Sequence, residues 1–428
     1  MIKQLSLCLL SILLVWSCKV SSKTQGQVST DQIINAEAKM RIDTLFKNLI
    51  NSNNVGGIST LIFEDGKEVF YEAVGHQNRE KDLAMARNTL VQIWSMTKPL
   101  VGTALMTLYE DGLFQLDDPL EKYLPEYANM KVFKGVDNKG NFILEDAKRS
   151  ITIRDITRHT AGFVNNSQME GLGPLVAKAD LMNKNSSLTE MSAKLGKLPL
   201  MFHPGEQWSY GRSVSVQAAL VEKLSGKSIF DYLKSEVLDP LGMQQTRYYV
   251  PPADQNRLSA VYFRSGEGQL EQQPDSSALD YNTHPYTMTP GGYGLTATID
   301  DYMIFARMLQ NEGSLNGVTI LKPETIKLMA TNALDNSVTE RMWLPTRGQV
   351  GFGIDFAVRL APPIDAAENN GVVGEFFWDG AASTLFWVDP VNDLTVVMFV
   401  QLFPYDQIKL HKRFRDAVYG PYDEMKIK

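Results

Sequence analysis

The chain has 428 residues, of which 44% are hydrophobic and 21% charged, and its net charge is -7. This is the composition of an ordinary globular protein with enough residues for a large buried core. Nucleic acid is excluded as a partner, because a phosphate backbone selects basic patches and the chain has no Lys/Arg-rich run. The five histidines are too scattered to indicate a metal site, and we expect neither a metal nor another cofactor.

The start of the chain differs in character from the rest. An apolar run, Leu5 to Trp16, is too short to span a bilayer but has the length of a signal-peptide core. It ends near Cys18, in a setting similar to a bacterial lipobox, where such a cysteine becomes lipidated. We therefore expect a lipoprotein signal peptide at 1–18, export to the bacterial cell envelope, and a membrane anchor that leaves the protein facing the periplasm. A plain signal peptide is the alternative, and the polar segment 19–32 is a predicted tether.

β-Prone runs near both ends of the remaining chain predict two hairpins. Ile58 to Phe63 and Val69 to Val74 flank a glycine-containing turn. Thr384 to Val388 and Leu394 to Gln401 flank the segment Asp389-Pro390-Val391-Asn392-Asp393. The middle of the chain is rich in helical patterns. We predict an α+β fold, with one antiparallel sheet built from both chain ends, flanked by helices, and a helix-rich second lobe. A single domain spans 33–428.

A serine and a lysine at helical spacing stand at the start of a predicted helix. Ser95 and Lys98 precede Pro99, which a helix tolerates in its first turn, and the helical pattern continues to Tyr109. The spacing brings the lysine amine within reach of the serine hydroxyl, beside the free N–H groups of the helix start. Such a serine can form an acyl-enzyme if burial lowers the lysine pKa. The pair alone is weak evidence, because about one match is expected by chance.

The serine-lysine pair is the first of several short motifs that stand in a characteristic order between residues 35 and 420. They are Ser95-Met96-Thr97-Lys98, Leu116-Asp117-Asp118-Pro119, His159-Thr160-Ala161-Gly162, Tyr210, Asp239-Pro240-Leu241-Gly242-Met243, Pro290-Gly291-Gly292-Tyr293-Gly294-Leu295, Gly351-Phe352-Gly353 and Trp378-Asp379-Gly380. In this order the chain resembles the serine β-lactamase-like and penicillin-binding-protein-like hydrolases, especially the class C β-lactamase and esterase branch. The resemblance implies a β-lactamase/transpeptidase-like fold.

The resemblance also implies roles for individual residues. Ser95 corresponds to the acylated nucleophile and Lys98 to its partner. Tyr210 corresponds to the family tyrosine whose phenol, held phenolate-like by the lysine, takes the serine proton and later activates water. The backbone N–H groups of Ser95 and Ala381 correspond to the oxyanion hole.

Two positions depart from the family pattern. Arg212 stands where the family has the asparagine of its Tyr-x-Asn motif, and Trp378 replaces the lysine of Lys-Thr-Gly. That lysine supplies a cation near a substrate carboxylate, so its loss favours a less charged ester or amide. Arg212 is a hypothetical replacement for the positive charge. We expect Arg212 and the strand residues Trp378, Asp379 and Gly380 to contact a small-molecule acyl substrate.

The sequence therefore predicts a serine hydrolase that cleaves an ester or amide through a Ser95 acyl-enzyme. A β-lactamase or D-alanyl carboxypeptidase acting on cell-wall material is one alternative, and a catalytically silent ligand-binding lipoprotein is another. His159, with Asp155 nearby, also allows a Ser-His-Asp arrangement. We expect His159 instead to support the site, held by hydrogen bonds to the backbone. The sequence makes no prediction of oligomeric state.

Overall fold

In a computed structural model of the chain, residues 32–165, 168 and 170–422 are described. The predicted signal peptide, Cys18 and all but the last residue of the tether lie outside this part, so those features stay predictions. The chain from Ile33 onward forms one compact unit. Among the described helices, none is long and apolar enough to cross a membrane.

The described residues form a mixture of strands and helices. The strands are β1 (Gly57–Glu64), β2 (Lys67–Asn78), β3 (Leu83–Ala84), β4 (Val91–Gln92), β5 (Lys131–Val136), β6 (Phe142–Asp146), β7 (Tyr262–Arg264), β8 (Leu270–Gln272), β9 (Thr296–Ala297), β10 (Ser314–Leu315), β11 (Val318–Thr319), β12 (Val350–Phe352), β13 (Ala357–Arg359), β14 (Phe376–Asp379), β15 (Leu385–Asp389), β16 (Leu394–Val400) and β17 (Leu402–Phe403). The α-helices are α1 (Ala36–Asn51), α2 (Thr97–Glu110), α3 (Ile153–Thr157), α4 (Gly173–Ala179), α5 (Leu188–Leu195), α6 (Ser213–Ser225), α7 (Ile229–Leu233), α8 (Asp239–Leu241), α9 (Asp275–Ala278), α10 (Asp280–Thr283), α11 (Ile299–Gln310), α12 (Pro323–Met329) and α13 (Leu410–Tyr419).

The main sheet joins the two ends of the chain. Its eight strands run in the order β12-β13-β14-β15-β16-β1-β2-β3. The central pairing is antiparallel and brings β1 against β16, with Ile58 opposite Val400. Both predicted hairpins are present, and the α+β fold with a sheet built from both chain ends is confirmed.

The β1–β2 hairpin follows from its turn residues. Only Asp65 and Gly66 separate the two strands, and both have positive φ angles, 51° and 70°. This backbone conformation gives the twist that a two-residue hairpin needs, and an Asp-Gly pair adopts it readily. The turn therefore fixes the register that pairs Glu64 with Lys67.

Helices cover both faces of the sheet. All seven residues of β16 are buried, as expected for a strand with a packed layer on each side. The neighbouring strand β15 shows the two layers: the Phe386 ring lies 5.0 Å from Tyr302 of α11, and the Trp387 ring lies 5.6 Å from Phe414 of α13. Because adjacent strand residues point to opposite faces, α11 and α13 cover opposite sides.

The second lobe is helical and holds two long buried helices against each other. In α2 and α6 most residues are buried, and the two helices pack together. The serine-lysine pair lies at the start of α2, and Tyr210 lies just before α6. The end of β14 packs against the 3-10 turn Trp94–Met96 that leads into α2. The candidate site is therefore built where the sheet meets the helical lobe.

Candidate active site

Ser95 sits in a short 3-10 turn that leads directly into α2. It therefore lies at the start of the helix, as the sequence predicts. The preceding residue, Trp94, has a φ of 49°, an uncommon conformation for a large side chain. Two distant contacts hold the turn in place. The Tyr302 hydroxyl donates to the carbonyl oxygen of Met96 at 2.9 Å, and the Trp94 indole donates to Gln401 at 3.1 Å. The nucleophile candidate is thus fixed by the sheet side of the protein.

Lys98 points at the serine from one helical turn later. Its Nζ atom lies 3.1 Å from the Ser95 Oγ atom and donates to the carbonyl oxygen of Gly292 at 2.7 Å. The side chain is almost completely enclosed, with 3% exposed. Burial lowers the pKa of Lys98 from 10.5 to about 7, and the carboxyl groups of Asp355 and Asp379 oppose that shift. A large fraction of the lysine is therefore neutral near pH 7, as a proton acceptor must be.

Tyr210 completes the group of reacting side chains. The centroid of its ring lies 4.4 Å from the Lys98 Nζ atom, which stands over the face of the ring. Its hydroxyl accepts a hydrogen bond from the Trp378 indole at 3.3 Å. Burial raises the pKa of Tyr210 well above its ordinary value, while hydrogen bonding with Ser95 and Trp378 opposes the rise. The structure brings Ser95, Lys98 and Tyr210 together, but the buried surroundings favour a neutral phenol over a phenolate.

The ring of Tyr210 is surrounded by a shell of other aromatic rings. Ring centroids lie 4.8 Å away for His159, 5.0 Å for Trp343, 5.4 Å for Trp378 and 5.9 Å for Trp208. These contacts fix the position of the ring and leave the residue partly buried. The low polarity of this shell is the physical cause of the raised pKa.

His159 belongs to this shell and does not pair with the nucleophile. The ring is completely buried, and neither of its nitrogens has a hydrogen-bond partner among the described residues. The expected hydrogen bonds from its side chain to the backbone are absent there, and aromatic packing takes their place. Asp155 instead accepts from Arg149 and Thr152. The Ser-His-Asp alternative is therefore not supported, because the His159 ring bonds neither Ser95 nor Asp155. Burial and the Lys98 charge also lower the pKa of His159 well below 6.5, which makes it a weak base.

The end of β14 supplies the second half of the predicted oxyanion hole. Gly380 lies so close to the nucleophile turn that an added Cβ atom would stand 2.8 Å from the carbonyl oxygen of Ile93 and 2.1 Å from the hydroxyl of Thr384. This close approach explains why position 380 needs a residue without a side chain. The next backbone N–H, that of Ala381, has no hydrogen-bond acceptor within the described part of the chain, and neither has the N–H of Ser95. Both donors are available to an oxyanion.

The two preceding strand residues are engaged by the protein itself. Trp378 is completely buried and its indole donates to the Tyr210 hydroxyl, and its contact with a substrate stays a prediction. Asp379 is also buried: its carboxylate accepts from the Tyr405 hydroxyl at 2.6 Å and lies 3.2 Å from the Arg347 guanidinium. Close packing turns both side chains toward the protein, where they support the strand that carries Gly380.

Arg212 and Asp355 are two ionisable groups that flank the reacting residues in sequence or in space. Arg212 is the N-cap residue of α6, two residues beyond Tyr210, and its side chain makes no capping hydrogen bond. Asp355 was not identified from the sequence. Its carboxyl group is completely buried, accepts from Gln217 at 3.1 Å, and interacts electrostatically with Lys98. The sequence signal that could have identified Asp355 is its position in the apolar stretch that follows Gly351, where an acidic residue is unusual.

Helices on both faces of an antiparallel sheet, with a buried Ser-x-x-Lys pair at a helix start, define a β-lactamase/transpeptidase-like protein. The chain belongs to the Beta-lactamase family, whose model matches residues 42–419. This membership agrees with the resemblance drawn from the ordered motifs.

Known relatives extend over most of the chain. Protein Rv1367c of Mycobacterium tuberculosis is 30% identical over 82% of this chain and 86% of its own length. Esterase EstB of Burkholderia gladioli is 24% identical over 90% of this chain and 96% of its own. Among solved structures, simvastatin synthase (LovD) from Aspergillus terreus superposes with a TM-score of 0.77 at 22% identity, covering 91% of this chain and 100% of the other. The last of these shows a shared fold.

Proposed function

We propose that this protein is a serine hydrolase that cleaves an ester, or an amide of similar size, through an acyl-enzyme on Ser95. The observation that carries the proposal is the lysine contact: the Lys98 Nζ atom lies 3.1 Å from the Ser95 Oγ atom, and its pKa is about 7. A serine hydroxyl becomes a useful nucleophile only when a base of this kind stands beside it.

Acylation can be written with the groups in place. The neutral Lys98 amine accepts the proton of Ser95 while the Oγ atom attacks the carbonyl carbon of the ester. The negative charge that forms on the carbonyl oxygen is held by the N–H groups of Ser95 and Ala381. When this intermediate collapses, the bond to the alcohol oxygen breaks and the departing oxygen takes a proton delivered from the lysine. The alcohol leaves and the acyl group stays on the serine.

Deacylation reverses the proton movements. A water molecule attacks the acyl carbonyl, its proton passes to the neutral lysine, and the acid is released as Ser95 regains its hydrogen. In this scheme Tyr210 remains a neutral phenol that hydrogen-bonds Ser95 and relays a proton to and from the alcohol oxygen. We assign the base to Lys98 because burial lowers its pKa and raises that of Tyr210.

A relative supports an ester substrate over a β-lactam, because the Burkholderia protein is an esterase. In this chain Trp378 replaces the family lysine that faces a substrate carboxylate, and the indole is buried against Tyr210. Loss of that cation removes one expected contact for a β-lactam or a peptide C-terminus.

The proposal is tested by covalent labelling. The purified protein is treated with a fluorescent fluorophosphonate and, separately, with a fluorescent penicillin. We expect the fluorophosphonate to label the wild type and not Ser95→Ala, while Ser52→Ala, at an exposed serine at the end of α1, labels normally.

The labelling pattern separates the alternatives. Labelling by penicillin as strongly as by the phosphonate favours the β-lactamase or carboxypeptidase alternative. Folded wild-type protein that neither reagent labels contradicts the proposal and leaves the silent ligand-binding alternative.

A further inference from the structure

Arg212 holds a partly enclosed guanidinium group with few contacts. Its Nη2 atom donates to the carbonyl oxygen of Asn165 at 3.3 Å. Its Nε atom is buried and has no hydrogen-bond partner within the described part of the chain. A guanidinium offers five N–H donors, so most of its capacity for hydrogen bonds is unused.

The positive charge of Arg212 is also uncompensated. No carboxylate of the described residues lies within 4.0 Å of it, whereas Arg149 and Arg347 are paired with Asp155 and Asp379. Burial lowers the pKa of Arg212, and the neighbouring Tyr293 phenol opposes the shift. A half-buried charge without a partner is unfavourable unless a ligand supplies the opposite charge.

The position of this charge links it to the reacting groups. Arg212 follows Tyr210 by two residues, and Tyr293 follows Gly292, whose carbonyl oxygen accepts from Lys98. Arg212 therefore leaves the backbone next to the segment that carries the phenol, and its charge interacts with the Tyr293 phenol beside the segment that holds the lysine. A ligand group bound there can belong to a molecule that also reaches Ser95.

We propose that Arg212 binds a carboxylate of the substrate, so that the preferred substrates are esters that carry a second, ionised carboxyl group. This proposal rests on the proposed function and adds the class of substrate to it. A guanidinium binds a carboxylate through two parallel hydrogen bonds, which fixes orientation as well as charge.

The test compares esters that differ only in charge. One pair carries the difference on the alcohol side: 3-carboxyphenyl butanoate against 3-carbamoylphenyl butanoate. The other carries it on the acyl side: the mono-4-nitrophenyl ester of terephthalic acid against the 4-nitrophenyl ester of 4-carbamoylbenzoic acid. The measured quantity is the ratio of kcat/KM for the anionic ester to kcat/KM for its neutral partner.

We expect Arg212→Gln to lower this ratio by about 10- to 100-fold in at least one pair, the effect of losing a charge-assisted hydrogen bond. Arg212→Lys keeps the charge but loses the paired donors of the planar guanidinium, so it gives an intermediate ratio. Arg307→Gln is the matched control. Burial lowers the pKa of Arg307 as it does that of Arg212, and its Nη2 atom also donates to a backbone carbonyl oxygen, that of Gly66, at 3.3 Å. Its ratio stays at the wild-type value.

The outcomes distinguish failure of the carboxylate proposal from failure of the proposed serine hydrolase function. If Arg212→Gln leaves the ratio unchanged in both pairs, or slows the charged and neutral esters equally, Arg212 does not bind the substrate carboxylate. Fluorophosphonate labelling of the wild-type protein is measured alongside. An unlabelled wild type overturns the proposed function itself, whereas a labelled protein with no charge preference at Arg212 overturns only the assignment of the substrate class.

Discussion

Replacement of Lys98 by methionine is expected to abolish turnover and yet stabilise the folded protein. The difference between a lysine pKa of 10.5 and one of about 7 corresponds to about 5 kcal/mol of unfavourable burial. Methionine has a similar length and no charge. It leaves the carbonyl oxygen of Gly292 without its donor, at a cost of about 1–3 kcal/mol. At pH 7 the free energy of unfolding should therefore rise by about 2–4 kcal/mol.

The pH dependence gives the sharper part of this prediction. Between about pH 7 and pH 10.5 the unfolded wild type binds one proton more than the folded wild type, because folding lowers the pKa of Lys98. The stability of the wild type relative to the methionine variant must then increase with pH, by up to about 1.4 kcal/mol for each pH unit. The advantage of Lys98→Met accordingly shrinks as the pH rises through this window and is flat below it.

Urea unfolding of both proteins at several values from pH 6 to pH 9 measures the effect, with hydrolysis of a neutral ester followed in parallel. Lys47→Met is the control: Lys47 is exposed and paired with Asp43, which raises its pKa. This variant should show no change in pH dependence between pH 7 and pH 9. A stability difference for Lys98→Met that does not vary with pH would refute the reasoning, because it would mean that Lys98 is charged in the folded protein.

Three further predictions follow from the site. The profile of kcat/KM against pH should rise through about pH 7 as Lys98 loses its proton, and a flat profile from pH 5 to pH 9 would exclude it as the base. Gly380→Ala should slow ester hydrolysis by about 100-fold or more, since its Cβ atom displaces the Ala381 N–H, and unchanged kinetics would remove that N–H from the oxyanion hole. Burial raises the pKa of Asp355, so Asp355→Asn should stabilise the fold more at pH 7 than at pH 5 in urea unfolding; equal effects at the two pH values would show that the carboxyl is ionised in the folded protein.

The parts of the site that depend on local spacing could be predicted from the sequence. Ser95 and Lys98 are three residues apart at a helix start, and helix geometry alone brings them together. The two hairpins were predicted in the same way, because alternating β-prone runs and a short turn encode them. Tyr210 and Ala381 came instead from a resemblance carried by the order of several motifs.

Contacts between distant segments could not be predicted in this way. The carbonyl oxygen that holds Lys98 belongs to Gly292, and the indole that binds Tyr210 comes from Trp378. Burial, which sets the lysine pKa, is a property of the whole fold and leaves no local signal. His159 shows the same limit: hydrogen bonds were expected for a polar ring, and the structure surrounds it with other rings.

The central claim is that an acyl group is transferred to Ser95, and mass spectrometry of a quenched reaction tests it most directly. The protein is mixed with an excess of 4-nitrophenyl butanoate, stopped with acid within its first turnovers, and digested. The account predicts a butanoyl adduct on the peptide that contains Ser95 in the wild type and no adduct there in Lys98→Met. Turnover of the ester with no adduct on Ser95, or with the butanoyl group on another residue, would contradict it.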